Sequence, residues 1–344
     1  MIEVKILPEK VLRYLNDDFE TLDLNTYCDL NNILDKPRAV VVKAPYEFEA
    51  PVQLTLTDLN DVTFRRVYTI EKGGAALVKN LYPARIYRCR FRSCDGSEKV
   101  EEFCTQDKLP CMLDVDGLRN VRDFGGWKAS GGKLKYKVLY RGSELNRVAN
   151  HGIELTEEGR RVMAEEMHII TDIDLRNDKE SLYITESPIG GHVKYYRKMV
   201  LGYMDMFKEE FNGTLKEIFE ILSYRENYPV YIHCWAGADR TGTLLAVLKA
   251  ALGVSYEDIT RDHEVSTFSI FGVRGRCAKE FTYEEVFEHL KTEYPAATLE
   301  ESAKRYLFEK VKISEETFSD IRSILIDEIT LSNNFRFKEK FSAQ

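Results

Sequence analysis

A cysteine and an arginine stand five residues apart in His233-Cys234-Trp235-Ala236-Gly237-Ala238-Asp239-Arg240-Thr241-Gly242. The strand-like run Pro229-Val230-Tyr231-Ile232 precedes them, and the helix-like run Thr243-Leu244-Leu245-Ala246-Val247-Leu248 follows. On a tight turn between strand and helix, that spacing lets one loop wrap a tetrahedral dianion. Backbone N–H groups curled into a nest take the equatorial oxygens, here those of Trp235, Ala236, Gly237 and Ala238. The helix start adds unsatisfied donors and the positive end of its dipole. Arg240 closes the ring with a planar, permanently charged fork, where a lysine would offer only a point charge.

Cys234 is the candidate nucleophile. A free thiol has a pKa near ~8.5, and a helix N-terminus beside a guanidinium brings such a group to roughly 3.5–7.5. The thiolate attacks phosphorus and forms a phosphocysteine, splitting one hard displacement into two easier ones. Thr241 is placed to donate a hydrogen bond to the sulfur and help it leave. Gly237 lets the backbone approach the anion, and Gly242 leaves room where loop meets helix. The leaving oxygen needs an acid. Asp239 lies inside the loop, and Asp205 lies 29 residues upstream of Cys234. Position leaves both open, and the reading favours Asp239. His233 orients the loop rather than moving a proton, and Trp235 is either core or pocket wall. A lone Cys-x5-Arg match arises readily by chance; the full ten-residue string in a strand-to-helix setting does not.

The string resembles the signature of the cysteine-dependent protein tyrosine phosphatase superfamily. More narrowly it resembles the bacterial tyrosine/serine protein phosphatase family, with its His-Cys-x-x-Gly-x-Asp-Arg-Thr-Gly loop. Asn120-Val121-Arg122-Asp123-Phe124-Gly125-Gly126 is similar to that family's opening motif. Leu139-Tyr140-Arg141-Gly142-Ser143, Ile173-Asp174-Leu175-Arg176 and Asp262-His263-Glu264-Val265-Ser266 resemble further segments of it. The resemblance implies Cys234 as nucleophile, Arg240 as phosphate holder, Asp239 as acid and Arg141 as a contact to substrate phosphate. Asp123, Asp174 and Arg176 either support the loop or form structural ion pairs. Members active on phosphoinositides often carry lysine where this chain has Ala238. That departure favours a phosphorylated protein (phosphotyrosine above all) or a small phosphomonoester over an inositol-phosphate or phosphoinositide. A non-catalytic phosphate-recognition module is the alternative of another class, opposed by the intact Cys, Arg and Asp.

The chain has 344 residues, 44% hydrophobic and 31% charged, with a net charge of −8. It is long enough for two domains. Without a basic face the charge argues against nucleic acid and anionic membranes as partners. No stretch reaches the ~20 apolar residues of a membrane span. No basic-then-apolar leader opens the sequence, which points to a cytoplasmic protein or to one whose leader has been trimmed. Seven cysteines are present. Cys89, Cys94, Cys104 and Cys111 fit no zinc spacing and are read as reduced thiols; Cys28 and Cys277 carry no signal. His151, His168, His192 and His289 are scattered, so a metal-independent, cofactor-free enzyme is expected.

Residues 1–110 read as a β-sandwich. Runs at 38–42, 52–57 and 85–91 are β-branched or alternate in polarity, and Asp95-Gly96 is a hairpin signal. Leu81-x-Pro83-x-x-x-Tyr87 resembles the tyrosine corner of fibronectin type III domains, with Arg85 replacing the usual threonine. Such a module would be a spacer or a platform for a partner that the sequence does not identify. Residues 106–115 form the linker. Residues 111–344 then alternate strand and helix, predicting an α/β catalytic domain with a central sheet flanked by helices and its ligand at the carboxyl end of the central strand. Residues 254–330 read as helical, with starts at Tyr256-Glu257-Asp258 and Ser314-Glu315-Glu316, amphipathic runs at 281–294 and 299–308, and a weakly packed tail at 335–338.

Overall fold

The computed structural model describes residues 2–27, 36–146, 153–269, 272–276 and 283–328. Cys28, His151, Cys277, residues 281–282 and the tail at 335–338 lie outside that set. The chain divides into a unit of Met1–Asp18 with Asp35–Asp114 and a unit of Phe19–Leu34 with Val115–Gln344. The grouping of residues 19–34 with the second unit has no counterpart in the sequence reading.

In the first unit, β1 (Ile2–Val4), α1 (Glu9–Asn16), β2 (Val40–Lys43), β3 (Val52–Asp58), β4 (Asp61–Ile70), β5 (Ala75–Val78), β6 (Ile86–Arg92) and β7 (Glu98–Thr105) follow in order. One sheet runs β1-β7-β6-β3-β4, and a second pairs β2 with β5. The two-residue side-chain period of a strand places Val52, Leu54 and Leu56 of β3 and Tyr87, Cys89 and Phe91 of β6 on one buried face. They share a single core with Val42, Ala76 and Val78 of the smaller sheet. Gly96, at φ +89°, turns β6 into β7. The unit is not all-β as expected: α1 opens immediately after Pro8, whose fixed φ suits a helix entry, and buries Val11, Leu12 and Tyr14. The strand β1, parallel to β7, was also missed, because three residues carry too little pattern.

The second unit holds β8 (Arg122–Asp123), β9 (Lys128–Ala129), β10 (Gly132–Leu134), β11 (Leu139–Gly142), α2 (Glu157–Arg161), β12 (Thr171–Asp174), β13 (Lys194–Arg197), α3 (Asn212–Ser223), β14 (Val230–His233), α4 (Asp239–Ala251), α5 (Tyr256–Glu264), α6 (Tyr283–Glu293), α7 (Leu299–Arg305), α8 (Glu315–Leu325) and β15 (Ile326–Glu328). The main sheet runs β13-β12-β14-β11-β8. Strands β11, β12 and β13 lie parallel to their neighbours around the central β14, while β8 is antiparallel at the edge. Every residue of β14 is buried, which explains its unbroken apolar run. Helix α4 is buried from Thr241 to Ala251, so it lacks the polar stripe of a surface helix.

Helix starts follow side-chain caps. Thr156, Ser255 and Ser314 accept from the backbone N–H three residues on, and Thr298 makes a capping box with Glu301. The helical reading of 254–330 holds for α5 to α8 but not for the described segments between them or for β15, which pairs antiparallel with β10. Residues Ile326–Glu328 satisfy their backbone on an open strand edge instead of in another turn.

In the first unit the Tyr82 N–H donates to the Tyr87 hydroxyl at 2.9 Å in a buried setting. Replacing Tyr87 with phenylalanine removes that acceptor and leaves the N–H unpaired, a loss of about 1–3 kcal/mol. Urea unfolding of the full chain carrying Tyr87→Phe is expected to show a destabilised transition of that size with activity retained.

Candidate active site

The turn between β14 and α4 sits at the carboxyl end of the central strand and contains the ten-residue string. Cys234 is 3% exposed, directly after β14, and Asp239 opens α4. Among the described residues, the amides of Ala236, Gly237 and Ala238 donate to no protein acceptor. Three successive unpaired donors followed by a helix N-terminus make an anion-binding concavity. Gly237 has φ +66°, and a Cβ there would lie 2.1 Å from the Gly142 carbonyl oxygen. No other residue fits, since both conformation and space demand glycine. Trp235 packs, half-buried, on Ala236 and Ala238, on the loop itself.

The loop is fastened from below by the segments that the opening motif and β11 supply. Asn120 donates from Nδ2 to the Ala236 carbonyl at 3.1 Å. Glu144 N–H donates to the Trp235 carbonyl at 3.0 Å. Arg141 donates from Nη2 to the Gly237 carbonyl at 2.6 Å and from Nη1 to Asp262 Oδ2 at 3.1 Å. At 1% exposure Arg141 sits behind the loop, not in front of it. The expected contact to substrate phosphate is therefore corrected: its fork is spent on a carbonyl and a buried carboxylate. Arg122 pairs with the same carboxylate through Nε at 2.9 Å, and Lys249 of α4 joins at 3.1 Å. Burial would raise Asp262, but these three cations hold its carboxyl well below the usual range. Burial, helped by the Arg122 charge, brings Arg141 down to about 10, so it stays charged at neutral pH. Asp123 accepts from the Gly125 and Lys137 amides at 2.7 and 2.8 Å, a structural role in shaping the turns around β8.

Beside β14 lies a second buried network. His233 Nε2 is 3.0 Å from Asp172 Oδ1, off the hydrogen-bond direction, and Nδ1 is 3.2 Å from the Cys234 carbonyl oxygen. Burial alone would lower His233, but Asp174 and Asp172 raise it above its ordinary value. Asp174 accepts from Arg176 on both oxygens, at 2.8 and 2.7 Å, and from Tyr195 at 2.9 Å. Burial opposes its charge, yet His233 and Arg176 keep its carboxyl down at about 2. Arg176 also donates to Glu144 at 2.6 Å. Asp174 and Arg176 thus belong to the structure that supports His233.

At the rim, Arg240 forms a two-pronged pair with Glu180, at 2.9 and 2.6 Å. Burial would lower Arg240, but the Glu180 bond and the Cys234 charge raise it. Glu180 is lowered in turn, Arg240 outweighing its partial burial. Asp239 accepts on Oδ1 from the Tyr203 hydroxyl at 2.5 Å and from Arg274 Nε at 2.7 Å, while Oδ2 meets no donor among the described residues. Burial, then the Asp239 charge, pushes the Tyr203 hydroxyl far up, so it remains a donor. Tyr203 itself has φ +53°, and Gly202 beside it packs so tightly that a Cβ would lie 3.0 Å from Arg240 N.

Asp205 follows on the same short turn but is exposed and paired with Lys208 at 2.7 Å. The structure brings Asp239 to the loop and turns Asp205 to solvent. The Thr241 hydroxyl is buried with no hydrogen-bond partner, so the expected bond to the sulfur is not made in this state. Glu180, Tyr203 and Arg274 escaped the sequence reading: Glu180 is 60 residues from Arg240 and Arg274 is 35 from Asp239, and no local spacing marks such pairs. Among the described residues Cys89, Cys94, Cys104, Cys111 and Cys234 form no disulfide. No described helix is long and apolar enough to cross a membrane.

A model of the tyrosine phosphatase family matches residues 113–333. No curated protein matches the chain. Among solved structures, the core catalytic domain of the PP-IP phosphatase SIW14 from S. cerevisiae, in complex with citrate, is similar over 46% of this chain and 91% of that one, at 16% identity and a TM-score of 0.30, a likeness too loose to argue from. The family match runs from before the opening motif to beyond α8, and takes in the whole turn and everything that fastens it. The chain belongs to the tyrosine phosphatase family and is a cysteine-dependent phosphatase, an enzyme of phosphoester hydrolysis.

Proposed function

We propose that the chain is a protein tyrosine phosphatase, or a dual-specificity one, working through a phosphocysteine on Cys234. The observation that carries this reading is the turn itself: a cysteine at the end of the central strand, three unpaired amides after it, and a guanidinium fixed at the rim. In the first step the Cys234 sulfur attacks phosphorus. An S–P bond forms, the P–O bond to the leaving group breaks, and that oxygen takes a proton from Asp239. In the second step water attacks the phosphocysteine, the S–P bond breaks, and Asp239 takes the proton back. Asp239 offers Oδ2 for this while Tyr203 and Arg274 hold Oδ1. Arg240, with the amides of Trp235, Ala236, Gly237 and Ala238, binds the three oxygens that flatten in the transition state. Thr241, buried beside the helix start, has an unspent hydroxyl that supports its role in releasing the sulfur.

Substrate choice rests on charge. Ala238 is apolar and fully buried, and Arg274 is committed to Asp239. Both favour a single phosphate on an aryl group over an inositol polyphosphate, which calls for cations at several points around the mouth. The resemblance to the bacterial subfamily belongs to the same proposal. So does a division into residues 1–110 and 111–344, with the first part a fibronectin type III-like module. Two sheets over one core and the Tyr82–Tyr87 bond support that module, α1 is an addition to it, and it is given no catalytic part.

Cys234→Ser is expected to abolish turnover of p-nitrophenyl phosphate, with EDTA present throughout, while the variant still binds phosphate or vanadate. Measurable turnover in that variant rules the mechanism out. Asp239→Asn is expected to slow a poor leaving group such as an alkyl phosphate by roughly 10²–10⁴-fold and p-nitrophenyl phosphate far less, whereas Asp205→Asn leaves both rates unchanged. A panel of phosphotyrosine peptides, phosphoserine peptides and inositol phosphates at fixed salt compares kcat/KM and tests the substrate class.

Glu180 holds both arms of Arg240. Glu180→Gln is expected to lower kcat/KM by roughly 10- to 100-fold through a misplaced guanidinium, chiefly by raising KM. Steady-state kinetics with wild-type values in the variant would remove Glu180 from the site.

A further inference from the structure

Lys249 is a lysine in the core of the protein. It lies on the face of α4 turned away from solvent, 1% exposed, with its ammonium 3.1 Å from Asp262 Oδ2. The rings of Phe124 and Trp127 stand 5.0 and 4.9 Å from it. Asp262 of α5 also takes Arg122 of β8 and Arg141 of β11, so three cations share one carboxylate and the cluster carries a charge of +2 when all are protonated. One of the three, Arg141, ends on the Gly237 carbonyl, inside the phosphate loop. A buried ammonium in this company has no catalytic step to perform, and its desolvation is costly.

We propose that Lys249 is a positioning residue whose proton sets the anion affinity of the Cys234 loop, acting through Asp262 and Arg141. The inference rests on the loop being a phosphate site and adds a switch beneath it. With Lys249 protonated, Asp262 is shared three ways and the field under the loop is more positive. With Lys249 neutral, Asp262 draws more strongly on Arg122 and Arg141, and the loop loses both charge and the full hold of Arg141 on Gly237. Burial first, then the Arg141 and Arg122 charges, against the pull of Asp262, bring the Lys249 ammonium down to about 8. The switch therefore turns near pH 8, with tighter binding below and weaker binding above.

The groups facing Lys249 are Asp262, Arg122 and Arg141. Next to Asp262, His263 is driven well below its ordinary value by burial and the neighbouring arginines, and Tyr283 is pushed well up by burial and Asp262, so neither changes charge near pH 8. His233, on the other side of the loop, is raised and loses its proton with the same sign. Variants are needed to separate the two.

The test uses the full chain with Cys234→Ser, which removes the thiol. Sulfate is the probe, because its charge is constant from pH 7 to 9. Isothermal titration calorimetry is expected to show affinity falling roughly three- to tenfold across that range. In Lys249→Arg, which keeps the charge, binding stays at its pH 7 strength throughout. In Lys249→Met, which keeps the stem, it is weak throughout. A step that persists in Lys249→Arg belongs to His233 and overturns the proposal, as does an affinity that does not change with pH in the parent. If Lys249→Met does not fold, the parent and Lys249→Arg decide the matter alone. Sulfate binding at neither pH overturns the phosphate-loop reading itself, a result distinct from binding without a step.

Discussion

One buried carboxylate underlies the site. Asp262 gathers Arg122, Arg141 and Lys249 from three elements, and through Arg141 it reaches the Gly237 carbonyl. A turn that keeps three amides unpaired is unfavourable by itself, because buried donors want acceptors. It persists because its carbonyls, at Trp235, Ala236 and Gly237, are tied down by Glu144, Asn120 and Arg141. The acceptors are held by the protein, and the donors are left over. Breaking a buried ion cluster by removing one member commonly costs about 3–5 kcal/mol, and here the cost would fall on the geometry of the loop as well as on the fold.

The chemistry was legible where it is local. Cys234, Asp239 and Arg240 sit on one turn, and a strand-to-helix switch in periodicity marks it. The division of labour around them was not legible. Arg141 reads as a phosphate ligand until its burial and its partners are known. Asp239 is favoured over Asp205 in sequence, but position leaves both open until one is seen paired with Lys208 on the surface and the other held at the loop. Glu180, Tyr203 and Arg274 meet their partners across tens of residues, and pairing over such distances leaves no periodic trace. Fold elements followed the same rule: β3, β6, α4 and the capped helices were visible in pattern, whereas β1 and β15 exist only because another strand offers them an edge.

The two networks flanking β14 differ in sign. On the β12 side, Asp172, Asp174 and Glu144 outnumber Arg176 and favour a charged His233. On the β11 side, cations outnumber Asp262. The strand that delivers Cys234 therefore runs between an acidic and a basic interior.

The clasp between Arg240 and Glu180 has a kinetic meaning. At rest the guanidinium and carboxylate cancel each other's charge, so this pair adds little to the field at a distance, and the chain as a whole carries −8. An arm already held in place gives up less freedom when it takes an anion. A clasp of this kind favours close fit over reach.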